Sequence, residues 1–140
     1  MARRSRAREV ALQALYQEDV NPATTPADIE DFVRGRMDAP DLQDFALSLV
    51  SGVRRHRVEV DQILTRTADN WTLGRMAATD RNVLRLGAFE LLHTDTPHAV
   101  IIDEAVELAK RFGGKQSAQF VNGVLDRVLS HREKPGESAP

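Results

Sequence analysis

Cysteine is absent from this 140-residue chain. Its absence excludes disulfide bonds and thiolate metal sites, and it suits a reducing compartment, so we expect a cytoplasmic protein. The chain also lacks any run of 18 apolar residues, which predicts that it has no membrane-spanning helix. The basic N-terminus is not followed by an apolar run and therefore does not resemble a secretory signal.

Patterns that carry catalysis or bind cofactors are lacking as well. The chain has four histidines, which are His56, His93, His98 and His131. None of them lies at metal-ligand spacing from another ligand in the sequence, and no Ser, His and Asp arrangement can be argued. No glycine-rich phosphate loop follows a strand pattern. We therefore expect no enzyme activity, no cofactor and no metal.

The charge is distributed unevenly along the chain. Residues 1–8 contain four arginines and no acid, so the remaining residues carry a net charge of −6, against −2 for the whole chain. These arginines are Arg3, Arg4, Arg6 and Arg8. Arginines at a helix N-terminus oppose the helix dipole, which favours a binding role over a structural one. A basic arm on an acidic body is typical of nucleic-acid binding.

The spacing of apolar residues is helical almost everywhere, and no segment alternates as a strand does. It predicts an all-α fold of about seven helices in two packed small helical bundles. We expect a single domain over residues 1–132, with sub-bundles of about 1–69 and 70–132 joined around Trp71. The polar residues 133–140 are expected to form a disordered tail.

Several helix ends can be predicted from local signals. Thr25 can cap a helix, with Pro26 in the first turn and Asp28 closing a capping box. Asp41 is expected to cap the next helix. Gly113-Gly114 should end the sixth helix. Gly123 lies inside the last helix, where we expect it to permit close helix packing.

Three segments of the chain resemble proteins of the NusB family. They are Arg3–Gln17, Trp71–Leu92 and Pro97–Asp126, and together they cover about half of the sequence in the family's order. The last contains the runs DEAVELAKRFG and FVNGVLD, and the second contains Asp80, Arg81 and Glu90 at family spacing. The intervening residues, from 20 to 70, match only in helical character.

The resemblance implies a function. NusB-like proteins bind single-stranded boxA RNA together with the small-subunit ribosomal protein also called NusE. They do so within an antitermination complex on RNA polymerase, which suppresses premature termination, notably in ribosomal RNA operons. Such proteins can self-associate, and a homodimer could cover the arginine arm.

The resemblance and the residue chemistry together give a set of RNA-binding candidates. They are Arg3, Arg4, Arg6, Arg8, Lys115, Gln116, Ser117 and Phe120. Arginine offers a planar fork of donors that fits phosphates and stacks on bases. Helical geometry places Phe120 about 90° from the apolar stripe of its helix, at the edge of the buried face. It is either a rim residue of the core or a platform on which a base stacks.

Other assignments stay open from the sequence. Ser117 or Gln116 can simply cap the last helix, and Tyr16 can contact either RNA or the rest of the protein. Asp80 and Glu90 are candidates for binding the protein partner, but local ion pairs would also explain them. An alternative function is an interaction scaffold without direct RNA binding. Another is an RNA-binding module that serves a ribosomal RNA methyltransferase supplied as a separate chain.

Overall fold

A computed structural model describes residues 2–68 and 72–132 of the chain. These residues form seven α-helices and one 3₁₀ turn, without strands, which confirms the all-α prediction. The helices are α1 (Ala2–Val20), α2 (Pro26–Arg36), α3 (Pro40–Arg55), α4 (Arg57–Thr67), α5 (Ala78–His93), α6 (His98–Phe112) and α7 (Ser117–Arg132); the 3₁₀ turn is Leu73–Arg75. Among the described residues, no helix is both long and apolar enough to cross a membrane.

The first compact unit ends at Arg55 and contains α1, α2 and α3. In it α1 packs against both other helices. The start of α2 is fixed by the predicted capping box, in which the Asp28 amide donates to Thr25 Oγ1 (3.1 Å) and the Thr25 amide donates to Asp28 Oδ2 (2.9 Å). This reciprocal pair satisfies two amides that a helix start would otherwise leave unpaired.

The second compact unit begins at His56 and contains α4 to α7. Helix α5 packs against α4, α6 and α7. Every residue of α5 from Asn82 to Leu91 is buried, and the apolar residues of this helix cover most of its circumference, which favours such burial. The unit is therefore built around α5, and α6 and α7 pack on it and on each other.

Glycines on these helices differ in what surrounds them. A Cβ added to Gly87 would lie 2.8 Å from Leu125 Cδ1, so Gly87 lets α7 approach α5 closely. A Cβ on Gly123 would meet nothing within 4 Å, so the expectation that Gly123 permits close packing is wrong. Gly113 does follow the last residue of α6, as predicted, but its backbone is extended rather than left-handed. Gly113 must be small because Ser117 lies against it: a Cβ on Gly113 would lie 2.5 Å from Ser117 Oγ.

Two predicted boundaries differ from the structure. Helix α3 begins at Pro40, so Asp41 lies in its first turn and is not the cap. Proline fits there because the first helical amides have no partner within the helix. The division between the units falls between Arg55 and His56 and not near residue 69, because α4 packs against α5 and α7. Trp71 and the predicted tail lie outside the described residues.

Substituting alanine at two of these glycines should shift stability in opposite directions. Gly113→Ala should cost about 1–3 kcal/mol, because the new methyl group would overlap Ser117 and lie 2.7 Å from the Ala109 carbonyl oxygen. Gly123→Ala should instead stabilise the protein by up to about 1 kcal/mol, since alanine is the better helix former and its methyl group has open space. Urea denaturation of both variants measures the difference. A shift of the same sign in both would contradict the packing described above.

Candidate RNA interface

The predicted arginine arm lies in the first turns of α1, and its first two members are exposed. Arg3 Nη2 lies 3.5 Å from Asp41 Oδ1, with both side chains about two-thirds exposed. The Arg4 guanidinium lies over the Phe45 ring, 4.2 Å from its centroid. Exposed ion pairs of this kind contribute little, so RNA phosphates can replace the carboxylate at small cost.

The other two members of the arm are held more firmly. Arg6 is exposed, and its Nη1 lies 2.8 Å from the carboxylate of Glu9, whose side chain is almost fully buried. Arg8 is only 3% exposed, and its guanidinium lies 5.2 Å from the Phe45 centroid. Burial removes Arg8 from the surface that RNA could reach, so the structure does not favour its predicted phosphate contact.

The remaining predicted RNA residues lie at or near a cleft in the second unit. The cleft has a volume of about 470 Å³ and is formed by the residues before α5, the start of α5, the loop after α6 and the start of α7. Its lining residues are Met76, Ala77, Asp80, Gly114, Gln116, Ser117, Gln119 and Phe120. Gln116, Ser117 and Phe120 thus share one concave surface, and Lys115 lies exposed in the same loop.

Ser117 shapes the loop that borders this cleft. Its hydroxyl accepts a hydrogen bond from the Gly114 amide (2.9 Å), and its own amide donates to the Gly114 carbonyl (3.2 Å). The side chain is buried, at 5% exposure. Ser117 therefore has a structural role, but it holds the turn before α7 and is not the cap that was expected, because it is the first residue of the helix. Lys115 and Gln116 remain exposed on the turn.

The start of α5 places a carboxylate in the same cleft as the aromatic residue. Phe120 is half-buried and its neighbour Val121 is fully buried, so Phe120 does lie at the edge of the core. Asp80 Oδ1 is buried and has no hydrogen-bond partner among the described residues. A buried acceptor without a partner is costly, and a ligand in the cleft could bond this oxygen only if the Asp80 side chain moved to expose it.

Arg81 holds the segment that precedes α5 in place. Its Nη1 donates to the carbonyl oxygens of Leu73 (2.8 Å) and Met76 (3.1 Å). Met76 lines the cleft. Arg81 therefore has a structural role in this unit, through hydrogen bonds to main-chain carbonyl oxygens.

The two candidates for binding a protein partner are placed differently from each other. Glu90 is 2% exposed, because α5 is buried on all sides at this point, so its side chain offers no surface to a partner. Asp80 lies in the cleft with the RNA candidates. Tyr16 is 43% exposed, so it can reach a binding partner.

Two clusters in the second unit were not predicted from the sequence. His56, Glu59 and His93 come together, although no metal site was expected from the spacing of the histidines. Arg85 forms a two-point ion pair with Asp61, with Nε–Oδ1 and Nη2–Oδ2 distances of 2.9 and 3.1 Å. His56 and Glu59 are only three residues apart, but His93 is 34 positions from Glu59. Arg85 is 24 positions from Asp61. No local sequence pattern therefore signals either complete cluster.

Known proteins match this chain over most of its length. A profile of the NusB family matches residues 5–130. A transcription antitermination protein NusB of Myxococcus xanthus is 49% identical, over 96% of this chain and 100% of that protein, and one of Solibacter usitatus is 43% identical over 100% and 96%.

Solved structures show the same fold. T. maritima NusB superposes with a TM-score of 0.84 at 33% identity, covering 96% of this chain and 95% of that one. A chain from a crystal structure of the antitermination factors NusB and NusE in complex with dsRNA gives a TM-score of 0.85 at 27% identity, covering 94% and 98%. The family profile, these relatives and the shared helical architecture show that the chain belongs to the NusB family.

Proposed function

We propose that this protein is an RNA-binding transcription antitermination factor. It binds boxA-like single-stranded RNA together with the ribosomal protein NusE, within a complex on RNA polymerase in the cytoplasm. It thereby suppresses premature termination, notably in ribosomal RNA operons. It acts by binding and recruitment and not by catalysis. Membership of the NusB family supports this, as does the similar fold found in a complex of NusB, NusE and dsRNA.

The cleft at the start of α7 is the observation that supports RNA binding most directly. The Phe120 ring provides a surface on which a base can stack, which is how proteins commonly hold unpaired RNA bases. The carboxylate of Asp80, which lines the cleft, can accept a hydrogen bond from an amino group of that base. A carboxylate in the wall disfavours phosphate in the same place, so the cleft fits a base better than the backbone.

The RNA backbone is then bound by exposed positive charge outside the cleft. Arg3, Arg4 and Arg6 are exposed on α1, and Lys115 is exposed on the loop before α7. Phosphate contacts of this kind supply affinity and position the RNA, while contacts with bases supply sequence preference. This division gives the arginines and the cleft separate and measurable roles.

A binding titration tests the proposed function. A labelled boxA-like RNA, a scrambled RNA of equal composition and a duplex form are each titrated with the full chain, with and without the NusE protein. We expect preference for the boxA-like single strand and tighter binding when the partner is present. Equal affinity for the scrambled RNA would contradict sequence-specific binding. Binding of the partner without any binding of RNA would favour the scaffold function instead.

The salt dependence of RNA binding should reveal the arginine arm. Each phosphate neutralised on single-stranded RNA contributes about −0.7 to the slope of log affinity against log salt. The double substitution Arg3→Ala and Arg4→Ala should therefore flatten that slope by about one to one and a half units. Titrations at four or more salt concentrations measure it.

A matched control is available on α2. Arg34 and Arg36 also carry two exposed charges, with one in an ion pair with Glu30 and the other over the ring of Phe32. Replacing both by alanine removes the same charge from the first unit, together with a hydrogen bond from Arg34 to Gln43, so the folding of this variant is verified by circular dichroism. This control should leave the slope nearly unchanged. Equal changes in the two double variants would show that overall charge, and not the arm, determines the salt dependence.

A further inference from the structure

Two histidines and a glutamate converge where α4 begins and α5 ends. His56 directly precedes α4, Glu59 lies in its first turn, and His93 is the last residue of α5. His93 Nε2 lies 2.7 Å from Glu59 Oε1, and His56 Nδ1 lies 3.5 Å from the same oxygen. One ligand atom from each of the three residues lies within 4.8 Å of the other two.

The packing of α4 on α5 holds this cluster, which we call the His–Glu cluster (His56, Glu59 and His93). The two imidazole rings stack with centroids 3.9 Å apart. The ring of Phe89 lies 5.8 and 5.7 Å from them and is itself buried, so it forms an apolar wall on one side. The side chains of His56, Glu59 and His93 remain 31%, 49% and 26% exposed, so ions can reach the cluster from solvent.

We propose that the His–Glu cluster is a binding site for a zinc-class divalent cation. Two imidazole nitrogens and one carboxylate oxygen are a ligand set that Zn²⁺ accepts, and water can fill the fourth position. Tetrahedral bonds of about 2.0–2.2 Å place neighbouring ligand atoms roughly 3.3 Å apart. The two distances to the shared Glu59 oxygen, 2.7 and 3.5 Å, lie on either side of that value.

Small side-chain movements complete the coordination. The two imidazole planes are inclined by only 20° to each other. One ring must therefore rotate about its Cβ–Cγ bond before His56 Nδ1 and His93 Nε2 both face one ion. Partial exposure of both rings leaves room for this rotation. The carboxylate of Glu59 offsets part of the cation's charge. Arg57 lies between His56 and Glu59 in the sequence. Its positive charge is partly offset by the carboxylate of Asp61, whose Oδ2 lies 3.4 Å from Arg57 Nε.

A bound ion would join the start of α4 to the end of α5. Glu59 and His93 are separated by 34 positions in the sequence, so the full set of ligands exists only in the folded chain. An ion that binds the folded state and not the unfolded state raises the melting temperature as its concentration rises. The site shares no residue with the cleft of the proposed RNA interface, and it can be tested whether or not that function is correct.

The test uses the full chain without a purification tag. Zn²⁺ affinity is measured by competition with a chromophoric chelator, and Co²⁺ absorption reports the ligand geometry. We expect one equivalent of ion per chain and a higher melting temperature with Zn²⁺. His93→Ala should weaken binding more than about 100-fold, since losing even an outer-shell partner of a metal ligand costs 10–100-fold. Glu59→Gln, which keeps the shape but removes the charge, should also weaken it.

His98→Ala is the matched control, because His98 is an exposed histidine of the same unit that is not part of the cluster. It should bind Zn²⁺ as the unaltered chain does. Circular dichroism at 222 nm verifies that each variant is folded, and His56→Asn replaces His93→Ala if that variant unfolds. Equal affinity in the His93→Ala and His98→Ala variants would overturn the proposal. So would binding weaker than millimolar in the unaltered chain, which would leave the cluster as a hydrogen-bonded His–Glu pair only.

Discussion

Replacing Asp61 by alanine is expected to lower the free energy of unfolding by about 3 kcal/mol, a change of more than a hundredfold in the folding equilibrium. Both Asp61 oxygens accept hydrogen bonds from the Arg85 guanidinium, at 2.9 and 3.1 Å. The Arg85 side chain is only 6% exposed, so the substitution leaves a buried charge without this carboxylate. Because Asp61 itself is 26% exposed, we expect the lower end of the range for buried ion pairs.

Urea denaturation of the Asp61 variant and a surface control measures this effect. Glu107 forms an ion pair with Lys110 at 3.4 Å, but their side chains are 71% and 60% exposed. Removing such a pair typically costs less than about 1 kcal/mol. Asp61→Asn, which keeps one acceptor but loses the charge, should fall between the two. If Asp61→Ala cost no more than Glu107→Ala, the Arg85 pair would not stabilise the fold.

The helices themselves could be predicted because their signals are local. The capping box of Thr25 and Asp28 requires only residues three positions apart, and it is present in the structure as predicted. Apolar residues cover most of the circumference of α5, which similarly favours a helix that is buried on every side. Periodicity and caps act within one helix, so a single sequence contains the information they need.

Features that depend on a second helix were harder to predict. Gly87 and Gly123 both lie inside helices, but only Gly87 has a side chain of the neighbouring helix against it. The apolar stripe of α7 places Gly123 away from the buried face, but a single helix does not show how closely its neighbours approach. The boundary of the units was misplaced for the same reason, because the position of α4 is decided by its packing on α5 and α7.

The cleft could be predicted only in part. Gln116, Ser117 and Phe120 were grouped because they are close in sequence, whereas Asp80 was assigned separately to the protein partner. The structure places Asp80 in the wall of the same cleft. One signal could have suggested this: consecutive helices joined by short loops usually run antiparallel, which brings the starts of α5 and α7 to the same end. Burial of Arg8 had no such signal, because charged residues are expected at the surface. Glu90 differs, because it lies in α5, whose apolar sequence predicts burial.

Phe120→Ala should separate binding from folding. The residue is half-buried at the edge of the core, so its removal should cost clearly less stability than Leu125→Ala, at a fully buried position. A core Leu→Ala change typically costs 2–5 kcal/mol. Thermal melts of the two variants give this comparison, and the Phe120 variant should remain folded at the temperature of the binding assay.

RNA binding by the same variant should weaken by about five- to a hundredfold, because a base stacked on an aromatic ring contributes about 1–3 kcal/mol. Stacking involves little charge, so the salt slope should stay nearly constant, which distinguishes Phe120 from the arginines. Phe112→Ala is the matched control: this phenylalanine of the same unit is 37% exposed and does not line the cleft, and its loss should leave affinity unchanged. If the Phe120 variant melts far below the Leu125 variant and its folded fraction binds RNA normally, Phe120 belongs to the core. The base would then have to be held elsewhere, and the cleft would lose its proposed role.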